Sequence, residues 1–333
     1  MSNNFFGNML FTFILCNVAV KSLAERISDM KNKPKIAVLG GDLRQYAVAK
    51  RISKEKAEVY ACGLCVSGRS NDQINQTNDW SEALRAARAV VLPLPTSTDN
   101  KVLNCPGYRD SERISLDKIV DLMDEGTLLF GGRIPQRITD KATKKGIDVH
   151  DYFLSEALQI KNAYITAEAA LSIAMNSLDK CVREARFVIT GSGRISRLLA
   201  ELLRKIGADV TVAARNTDAL TYASLIGCKT LAIRAHDDAA GDRWYSELEH
   251  GYDVIFNTVP AWLFDRHFLE NADNGLLMIE LASSPGGIDV CAARELSSNV
   301  VWASSLPGKY APESAGYLIA ECVIDKLMEV RVL

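Results

Sequence analysis

The feature that most restricts the fold is an alternation of short apolar runs with longer amphipathic runs, which begins at residue 35. The runs that read as strands are Lys35–Leu39, Glu58–Ala61, Ala89–Leu92, Thr127–Phe130 and Asp148–His150. Helical patterns lie between them, at about 43–54, 80–87, 115–124 and 136–145. Short apolar strands separated by helices are typical of a parallel sheet covered on both faces. The sequence therefore predicts a doubly wound α/β domain.

The same alternation occurs a second time after residue 186. Its strand candidates are Phe187–Thr190, Asp209–Ala213, Lys229–Ile233, Asp253–Asn257, Leu276–Leu281 and Val300–Ala303. Between the two series, Leu171, Ala174, Met175 and Leu178 have helical spacing, and Thr166 is placed to cap that helix. The α/β pattern thus predicts two doubly wound, Rossmann-like domains joined by a long helix.

Length supports this division, because 333 residues correspond to roughly two domains at about 150 residues each. The predicted parts are an N-terminal extension outside the core (1–30), a first domain (31–160), a linking helix (161–184), a second domain (185–310) and a C-terminal helix (311–333). By analogy with two-domain dehydrogenases, we expect the C-terminal helix to pack back across the cleft.

The N-terminal segment departs from the rest of the chain. Phe5 to Val20 carries no charge, and Met30 precedes the globular pattern like a chain start. A secretory signal would need basic residues before the apolar run, and a spanning helix needs about 20 apolar residues. An extension outside the core is favoured, with a membrane or signal role and a structured helix as the alternatives.

Charge and cysteine content exclude several classes of protein. The 39 basic and 41 acidic residues give a net charge of −2, so nothing drives non-specific nucleic-acid binding. The eight cysteines are scattered, which favours reduced thiols in a cytoplasmic protein. Cys62 and Cys65 form a lone CxxC without a second pair, so we expect no metal site; a redox role is the weaker alternative.

The strongest motif is Gly191-Ser192-Gly193-Arg194-Ile195-Ser196, which follows an apolar strand and precedes a helical run. The first glycine permits a tight turn, and the second lets the backbone approach a pyrophosphate at the helix N-terminus. Ser196 stands where a third glycine is usual. The motif predicts a dinucleotide site in the second domain, with a bare glycine turn as the alternative.

The residue after the next strand indicates the choice of cofactor, because NAD enzymes have an acidic residue there that hydrogen-bonds the ribose hydroxyls. Here the strand runs into Arg215-Asn216-Thr217. A guanidinium with two small polar neighbours suits a 2′-phosphate, so NADP is favoured and NAD stays possible. Asp218 is the acid that an NAD enzyme would use.

Three later turns fall at the carboxyl ends of strands in the second domain, where open α/β sheets bind ligands. Asn257-Thr258-Val259-Pro260 and Leu281-Ala282-Ser283 are predicted to line the nicotinamide ribose and ring. The third turn contains Gly308 and Lys309, which we expect at the substrate, although a solvated loop lysine is the alternative.

The first domain has a related turn, Gly40-Gly41-Asp42-Leu43-Arg44, which lacks the dinucleotide spacing. We therefore assign it no second cofactor. Free N–H groups at Gly41 and Asp42 together with Arg44 would instead bind a carboxylate. Thr96, Ser97 and Arg133 follow later strands at the same edge, and the set suits a small anionic substrate.

Together these loops resemble the A subunits of bacterial dipicolinate synthase, in order and over about residues 34–330. The segments that carry the resemblance are 35–44, 166–170, 191–194, 254–260, 281–287 with Asp289, and 305–312. The family more usually has Gly where Ala169 stands, and the apolar extension before Met30 is not part of its pattern.

The resemblance implies NAD(P)-dependent oxidation of a dihydrodipicolinate-level intermediate, on a branch of the lysine pathway, to pyridine-2,6-dicarboxylate. It also implies a flavoprotein-like partner, the B subunit, and a place in the mother-cell cytoplasm of a sporulating bacterium; we further expect a homo-oligomer. Arg44, Arg133 and Lys309 are then expected to hold the two substrate carboxylates. Glu168 or His150 would take the proton, with Lys309 also near the chemistry.

Other classes compete with this interpretation. A 2-hydroxyacid dehydrogenase shares the two-domain plan, but no histidine follows His267 to act as its acid. A shikimate-dehydrogenase-like enzyme has a comparable Asn-x-x-Pro turn but needs a Lys–Asp pair that we cannot place. A non-catalytic NADP-binding scaffold protein is the alternative from outside the enzymes.

Overall fold

The computed structural model describes residues 33–65, 73–109, 112–234 and 243–333. These residues form two compact units. One holds the described residues through Tyr152 together with Ile319–Leu333, and the other holds Phe153–Leu318. The predicted N-terminal extension lies outside the described residues.

The first unit contains a six-stranded parallel sheet in the order β3-β2-β1-β4-β5-β6. Its elements are β1 (Lys35–Leu39), α1 (Leu43–Ile52), β2 (Glu58–Cys62), β3 (Ile74–Thr77), α2 (Trp80–Leu84), β4 (Ala89–Val91), α3 (Leu116–Leu122), β5 (Leu128–Gly131), α4 (Gln136–Lys144) and β6 (Asp148–Asp151). Asp42, Asp79 and Ser115 cap α1, α2 and α3 by accepting backbone N–H bonds.

The second unit contains a second six-stranded parallel sheet, in the order β12-β11-β10-β7-β8-β9. Its elements are α5 (Glu156–Ser177), β7 (Arg186–Thr190), α6 (Arg194–Lys205), β8 (Asp209–Ala214), α7 (Thr217–Leu225), β9 (Lys229–Ala232), β10 (Val254–Asn257), α8 (Arg266–Asn271), β11 (Leu277–Glu280), α9 (Val290–Glu295), β12 (Val300–Trp302), α10 (Leu306–Tyr310) and α11 (Pro312–Glu329). Helix α11 begins in this unit, and its residues from Ile319 onward belong to the first.

The predicted fold class is confirmed, since both sheets are parallel and have the doubly wound order. Each predicted strand is present, with ends that coincide with the prediction or differ from it by one residue. Strand β3 was missed because only Ile74 of its four residues is buried, so no apolar run marks it. It lies at the edge of the first sheet, where a polar strand is tolerated.

The long helix starts earlier than its pattern suggested. Helix α5 begins at Glu156, and the Ser155 hydroxyl caps it by accepting the Leu158 N–H at 3.3 Å. The prediction that Thr166 caps this helix is therefore wrong: the Thr166 hydroxyl lies inside the helix and donates to Asn162 O at 3.0 Å. Ala163, Ala167, Ala170 and Ala174 form its buried stripe, and these small side chains let α6 pack closely.

Apolar side chains cover both faces of the second sheet. On one face Phe187 and Phe256 pack with Leu199 of α6, and their rings stack with centroids 6.1 Å apart. On the other face Val188 and Ile255 pack with residues of α8 and α9. This double burial explains why β10 and β11 are apolar at every position but their last.

Replacing Phe187 by Ala is expected to lower the free energy of unfolding of the second unit by about 3–5 kcal/mol, because it leaves a cavity beside Phe256. Urea unfolding followed by circular dichroism measures the change. Leu225→Ala is the control, because Leu225 is 81% exposed and its truncation should cost less than about 0.5 kcal/mol. Equal losses in the two variants would contradict this description of the core.

Candidate functional site

The strand order places a crevice at the carboxyl ends of β7 and β10. The chain leaves β7 toward β8 on one side of this point, and it leaves β10 toward β11 on the other side. In open parallel sheets ligands bind at this reversal point, because the loops there diverge. The loop after β7 is the predicted dinucleotide turn, and the loop after β10 begins at Thr258.

The dinucleotide turn is held by two hydroxyl groups. Gly191 has φ +103°, and a Cβ at that position would lie 2.4 Å from Thr258 Oγ1. Thr258 Oγ1 donates to Thr190 O at 2.7 Å, and the buried Ser196 Oγ donates to Gly191 O at 2.7 Å. Ser196 thus replaces the third glycine with a hydrogen bond that closes the turn. The first position requires glycine because the backbone is left-handed and Thr258 is close.

Gly193 is constrained differently. It precedes α6 with extended backbone, is exposed, and a Cβ there would meet nothing within 4 Å. No side chain caps this twelve-residue helix, so its first N–H groups have no hydrogen-bond partner among the described residues. Such an N-terminus attracts an anion through its N–H groups and dipole. The residues present therefore fit the pyrophosphate of a dinucleotide.

A cavity of about 390 Å³ adjoins this turn. Its lining brings together five residues predicted for the cofactor: Gly191, Ser192, Arg215, Asn216 and Val259. Seven further residues complete the lining, namely Ala214, Ile233, Arg234, Trp244, Ala261, Trp262 and Leu263. An apolar cavity with a few polar groups is the usual form of a small-molecule site.

Arg215 is one of two arginines on the cavity wall, and its role toward a phosphate stays a prediction. It follows β8 directly and is exposed, and within the described ranges no hydrogen bond or ion pair engages it. Asn216 accepts the Ala219 N–H at 2.9 Å and so caps α7, which begins at Thr217. Arg234 supplies a second guanidinium on the cavity wall that sequence reasoning missed, because it follows a short edge strand without a recognisable motif.

Arg194 and Ile195 form the first turn of α6. The Arg194 guanidinium is paired with the Glu156 carboxylate, with Nε 2.7 Å from Oε1. This pairing holds the pKa of Glu156 below its usual range through the hydrogen bond from Arg194. Arg194 thus ties α6 to the start of α5, while Ile195 is half-buried against the core.

A buried polar row crosses the sheet beside the cavity. Thr190, Asn257 and Glu280 occupy the same register position at the ends of β7, β10 and β11. Thr190 Oγ1 donates to Asn257 Oδ1 at 2.6 Å, and Asn257 Nδ2 donates to both Glu280 oxygens at 2.8 and 2.9 Å. The sequence carried a signal for it, since three apolar strands each end on a polar residue, but Thr190 and Glu280 were not recognised.

The remaining predicted residues of the second unit lie in loops joined to this row. Pro260 is exposed at the end of the β10 loop. After β11, Leu281 is buried, Ala282 is half-buried with its N–H bonded to Glu280 Oε1 at 2.9 Å, and Ser283 is exposed. These positions are compatible with a ligand at Ser283 and Pro260, and their cofactor role stays a prediction.

The glycine turn of the first unit is filled by the chain itself. Gly40 N donates to Cys62 O at 2.9 Å and Gly41 N donates to Asn104 O at 2.7 Å. A Cβ on Gly40 would lie 2.7 Å from Leu103 and 2.8 Å from Asn104 O. The expectation of a free N–H group at Gly41 is therefore wrong, because Asn104 O occupies the place that a substrate carboxylate would take.

Arg44 is also partly committed. Its Nε donates to Asp42 Oδ1 at 2.9 Å, and its Nη2 donates to Asp42 Oδ2 at 2.8 Å and to Leu94 O at 2.6 Å. Asp42 additionally caps α1 by accepting the Arg44 N–H at 3.0 Å. The bidentate pair neutralises much of the charge intended for a substrate carboxylate. Nη1 is the end of the guanidinium that binds no described residue.

Thr96 and Ser97 shape their own loop. Thr96 is fully buried and its hydroxyl lies 3.3 Å from Pro93 O. Ser97 Oγ lies 2.6 Å from Val102 O and 2.9 Å from Asp99 Oδ1. Hydrogen bonds from the Val102 and Lys101 N–H groups, and from Ser97, lower the pKa of Asp99 to about 2. Both hydroxyls thus form hydrogen bonds within their own loop, and their role in substrate binding stays a prediction.

Arg133 and His150 lie at the ends of adjacent strands. Arg133 is exposed in a left-handed turn with φ +57°, and its N–H donates to Asp151 Oδ1 at 3.1 Å. His150, in β6, stacks on Phe130 with centroids 5.3 Å apart and has Nε2 2.9 Å from Asp148 Oδ2. A histidine beside a carboxylate is a chemically reasonable base.

The last predicted residues lie in the second unit. Glu168 is half-buried in the middle of α5. Gly308 is buried in the short helix α10, and Lys309 is exposed in its last turn. Helix α10 packs against α5. No side-chain hydrogen bond or ion pair in the described part of the chain involves Glu168 or Lys309, and their roles stay predictions.

The buried cysteines Cys62 and Cys105 carry little thiolate. Burial raises the pKa of the Cys62 thiol to about 12 and that of Cys105 to about 11. None of the seven cysteines that the structure describes forms a disulfide. Among all the residues that the structure describes, no group of three His, Cys, Asp or Glu side chains is arranged to hold a metal ion. No described helix has both the length and the apolarity to cross a membrane.

Comparison with known proteins agrees with the resemblance seen in the sequence. Residues 35–153 match the family model of the N-terminal domain of the dipicolinate synthase A subunit. The chain is 23% identical over 297 residues to the dipicolinate synthase A subunit of Bacillus subtilis (strain 168), a match that covers 89% of this chain and 97% of that protein. The resemblance to the dipicolinate synthase A subunits is confirmed.

Solved structures show where this fold occurs. The dipicolinate synthase A subunit from Bacillus halodurans superposes with a TM-score of 0.74 at 22% identity, over 88% of this chain and 97% of that one. A transhydrogenase from Sinorhizobium meliloti superposes with a TM-score of 0.62 at 15% identity, over 89% and 94% of the two chains. The fold is therefore one that redox enzymes also use.

The two glycines of the dinucleotide turn are expected to respond differently to alanine. Gly193→Ala places a methyl group in open space, so the free energy of unfolding should fall by about 1 kcal/mol or less, while NADP affinity falls. Gly191→Ala should destabilise the fold strongly, because its Cβ meets Thr258. Thermal unfolding and NADP titration of both variants measure this. A Gly193→Ala protein with unchanged nucleotide affinity would contradict the pyrophosphate assignment.

Proposed function

We propose that this chain is an NADP-dependent oxidoreductase of the dipicolinate synthase A type. It would oxidise a dihydrodipicolinate-level dicarboxylate to pyridine-2,6-dicarboxylate. The observation that carries the proposal is the open N-terminus of α6 at Gly193, beside a cavity that also contains Arg215. The similarity to the dipicolinate synthase A subunit over 89% of the chain supports the choice of substrate.

The nucleotide half of the proposal uses residues of the second unit. The N–H groups at the start of α6 would bind the pyrophosphate, and Ser192 would contribute its hydroxyl. Arg215 would hold the 2′-phosphate, supported by Asn216 and Thr217. NADP is preferred over NAD because no acidic residue ends β8, where an NAD enzyme bonds the ribose hydroxyls.

The chemistry requires the substrate ring to lose a hydride and a proton as it becomes aromatic. The nicotinamide, when bound, supplies the hydride acceptor. The two substrate carboxylates need cationic or N–H partners, for which we propose Arg44, Arg133 and Lys309. Asp42 already accepts hydrogen bonds from Nε and Nη2 of Arg44, so Nη1 of Arg44 would contact the substrate carboxylate. Glu168 or His150 would accept the proton.

Assembly and setting follow from the same proposal. The Bacillus subtilis relative is the A subunit of its synthase, which suggests that this chain acts with a second, B subunit. We propose that this partner is flavoprotein-like. The reaction would branch from the lysine pathway in the mother-cell cytoplasm during sporulation. A homo-oligomer of this chain belongs to the proposal as well.

A non-catalytic NADP-binding scaffold is the second candidate, and the bidentate Asp42–Arg44 pair favours it, because that pair reduces the charge available to a substrate. The test is absorbance at 340 nm with purified protein, dihydrodipicolinate and NADP, with and without the B subunit. We expect cofactor reduction by the chain alone. Reduction only with the partner would support the scaffold, and no reduction in either mixture would refute the enzyme.

Arg215→Asp tests the choice of cofactor. Losing a charge-assisted contact of about 1.5–3 kcal/mol should weaken NADP binding by about 10- to 100-fold, while NAD binding changes little. Isothermal titration with each nucleotide measures both affinities. Arg183→Asp is the control, since Arg183 is exposed, makes the same charge change and precedes β7, at the opposite edge of the sheet. Equal losses for NADP and NAD would contradict a 2′-phosphate contact.

A further inference from the structure

Glu280 is a buried carboxylate without a cation. It ends β11, is 3% exposed, and forms no ion pair with any residue that the structure describes. Placing a carboxylate in such surroundings is costly unless hydrogen-bond donors surround it. The cofactor prediction did not include this residue, although the loops on both sides of it were included.

Donors from the end of β10 and from the loop after β11 meet this carboxylate. Asn257 Nδ2 lies 2.8 and 2.9 Å from its two oxygens, the Ala282 N–H donates to Oε1 at 2.9 Å, and the Gly287 N–H donates to Oε2 at 2.9 Å. Every partner is an N–H donor, so the side chain at this position must accept hydrogen bonds at both of its terminal atoms, as a carboxylate does. An amide in the same place would direct its own N–H groups at an N–H group.

The hydrogen bonds continue from Asn257 into the loop that lines the cavity. Asn257 Nδ2 also donates to Val259 O at 3.1 Å, and Asn257 Oδ1 accepts the Val259 N–H at 3.1 Å and the Thr190 hydroxyl at 2.6 Å. The carboxylate therefore fixes which way the Asn257 amide points. That amide in turn fixes the backbone of Val259, which belongs to the cavity wall.

The second loop wraps tightly around the same group. A Cβ on Gly287 would lie 2.6 Å from Asn257 Nδ2 and 2.7 Å from Ala261 O. Gly286, with φ +81°, would place a Cβ 3.1 Å from Glu280 Oε2. Both glycines are needed because the 282–287 backbone closes over the carboxylate. The Glu280 side chain thus joins the two loops, and the N–H groups of Leu263 and Phe264 add backbone hydrogen bonds to Gly287 O, each 2.9 Å long.

We propose that Glu280 is a positioning residue, which holds the 257–261 and 282–287 loops in the conformation that accepts the nicotinamide nucleotide. The inference rests on the proposed function, because it takes the cavity beside Val259 as the nucleotide site. Glu280 need not touch the cofactor. It acts through Asn257 and through the backbone N–H groups of Ala282 and Gly287.

Glu280→Gln is the decisive variant, since it keeps the size of the side chain and removes its second acceptor. Losing hydrogen bonds to a charged group should weaken NADP and NAD binding alike by about tenfold or more. Quenching of Trp244 and Trp262 fluorescence on titration with NADP or NAD measures affinity, because both side chains line the cavity. Amide hydrogen exchange should become faster in the 257–261 and 282–287 loops.

Two further variants keep the inference falsifiable. Glu280→Asp retains the charge but is shorter, so we expect a folded protein with a smaller loss of affinity and the same loops exchanging faster. Glu184→Gln is the matched control, because Glu184 is exposed and precedes β7, at the other edge of the sheet. It should bind both nucleotides like the wild type.

The outcomes separate the inference from the function on which it rests. An equal loss for NADP and NAD together with faster loop exchange supports the positioning role, whereas a loss of NADP binding alone would overturn it. Unchanged exchange and affinity in Glu280→Gln would also overturn it. A wild-type protein that binds neither nucleotide would overturn the proposed function, and loop exchange would still decide whether Glu280 holds the loops.

Discussion

Burying the Glu280 carboxylate without a cation requires hydrogen-bond donors to converge on it, and the loops at the candidate site have the shapes that supply them. Asn257 contributes its amide from β10, and the backbone after β11 turns back so that the N–H groups of Ala282 and Gly287 reach the carboxylate. Because Asn257 also bonds Thr190, this constraint extends to the strand that carries the dinucleotide turn. Carboxylate, amide and hydroxyl together organise the carboxyl ends of three neighbouring strands.

The sheets of the two units have the same strand order. The units differ in the glycine turn that follows the first strand of each sheet. In the first unit, the chain places its own 103–104 backbone on the glycine turn and satisfies Gly41 N internally. In the second unit, the turn is closed by Ser196 and Thr258, and the helix N-terminus at Gly193 stays open. Unsatisfied N–H groups at an open helix end are what an anionic ligand needs. One topology therefore gives a self-filled turn in one unit and a candidate binding site in the other.

Much of this fold follows from patterns that act over a few residues. The buried strands are largely apolar runs, so this pattern located their ends to within one residue, and glycine spacing located the turn before α6. Edge strand β3 was missed because Asn75 and Gln76 face solvent and carry no apolar signal. The start of α5 was misplaced because threonine is a common N-cap residue, but Thr166 lies inside the helix, whose N-cap is Ser155.

The candidate site was less accessible to sequence reasoning, and the reason is physical. The sequence by itself determined the doubly wound class, the position of the dinucleotide turn and the missing acid after β8, because each depends on local backbone geometry or on residue type. Only the tertiary structure decided that Arg44 is held by Asp42, that the 103–104 segment covers Gly40 and Gly41, and that Glu280 joins two loops. These outcomes depend on groups distant in the sequence competing for the same donors, and such a competition is settled only when the strands are brought side by side.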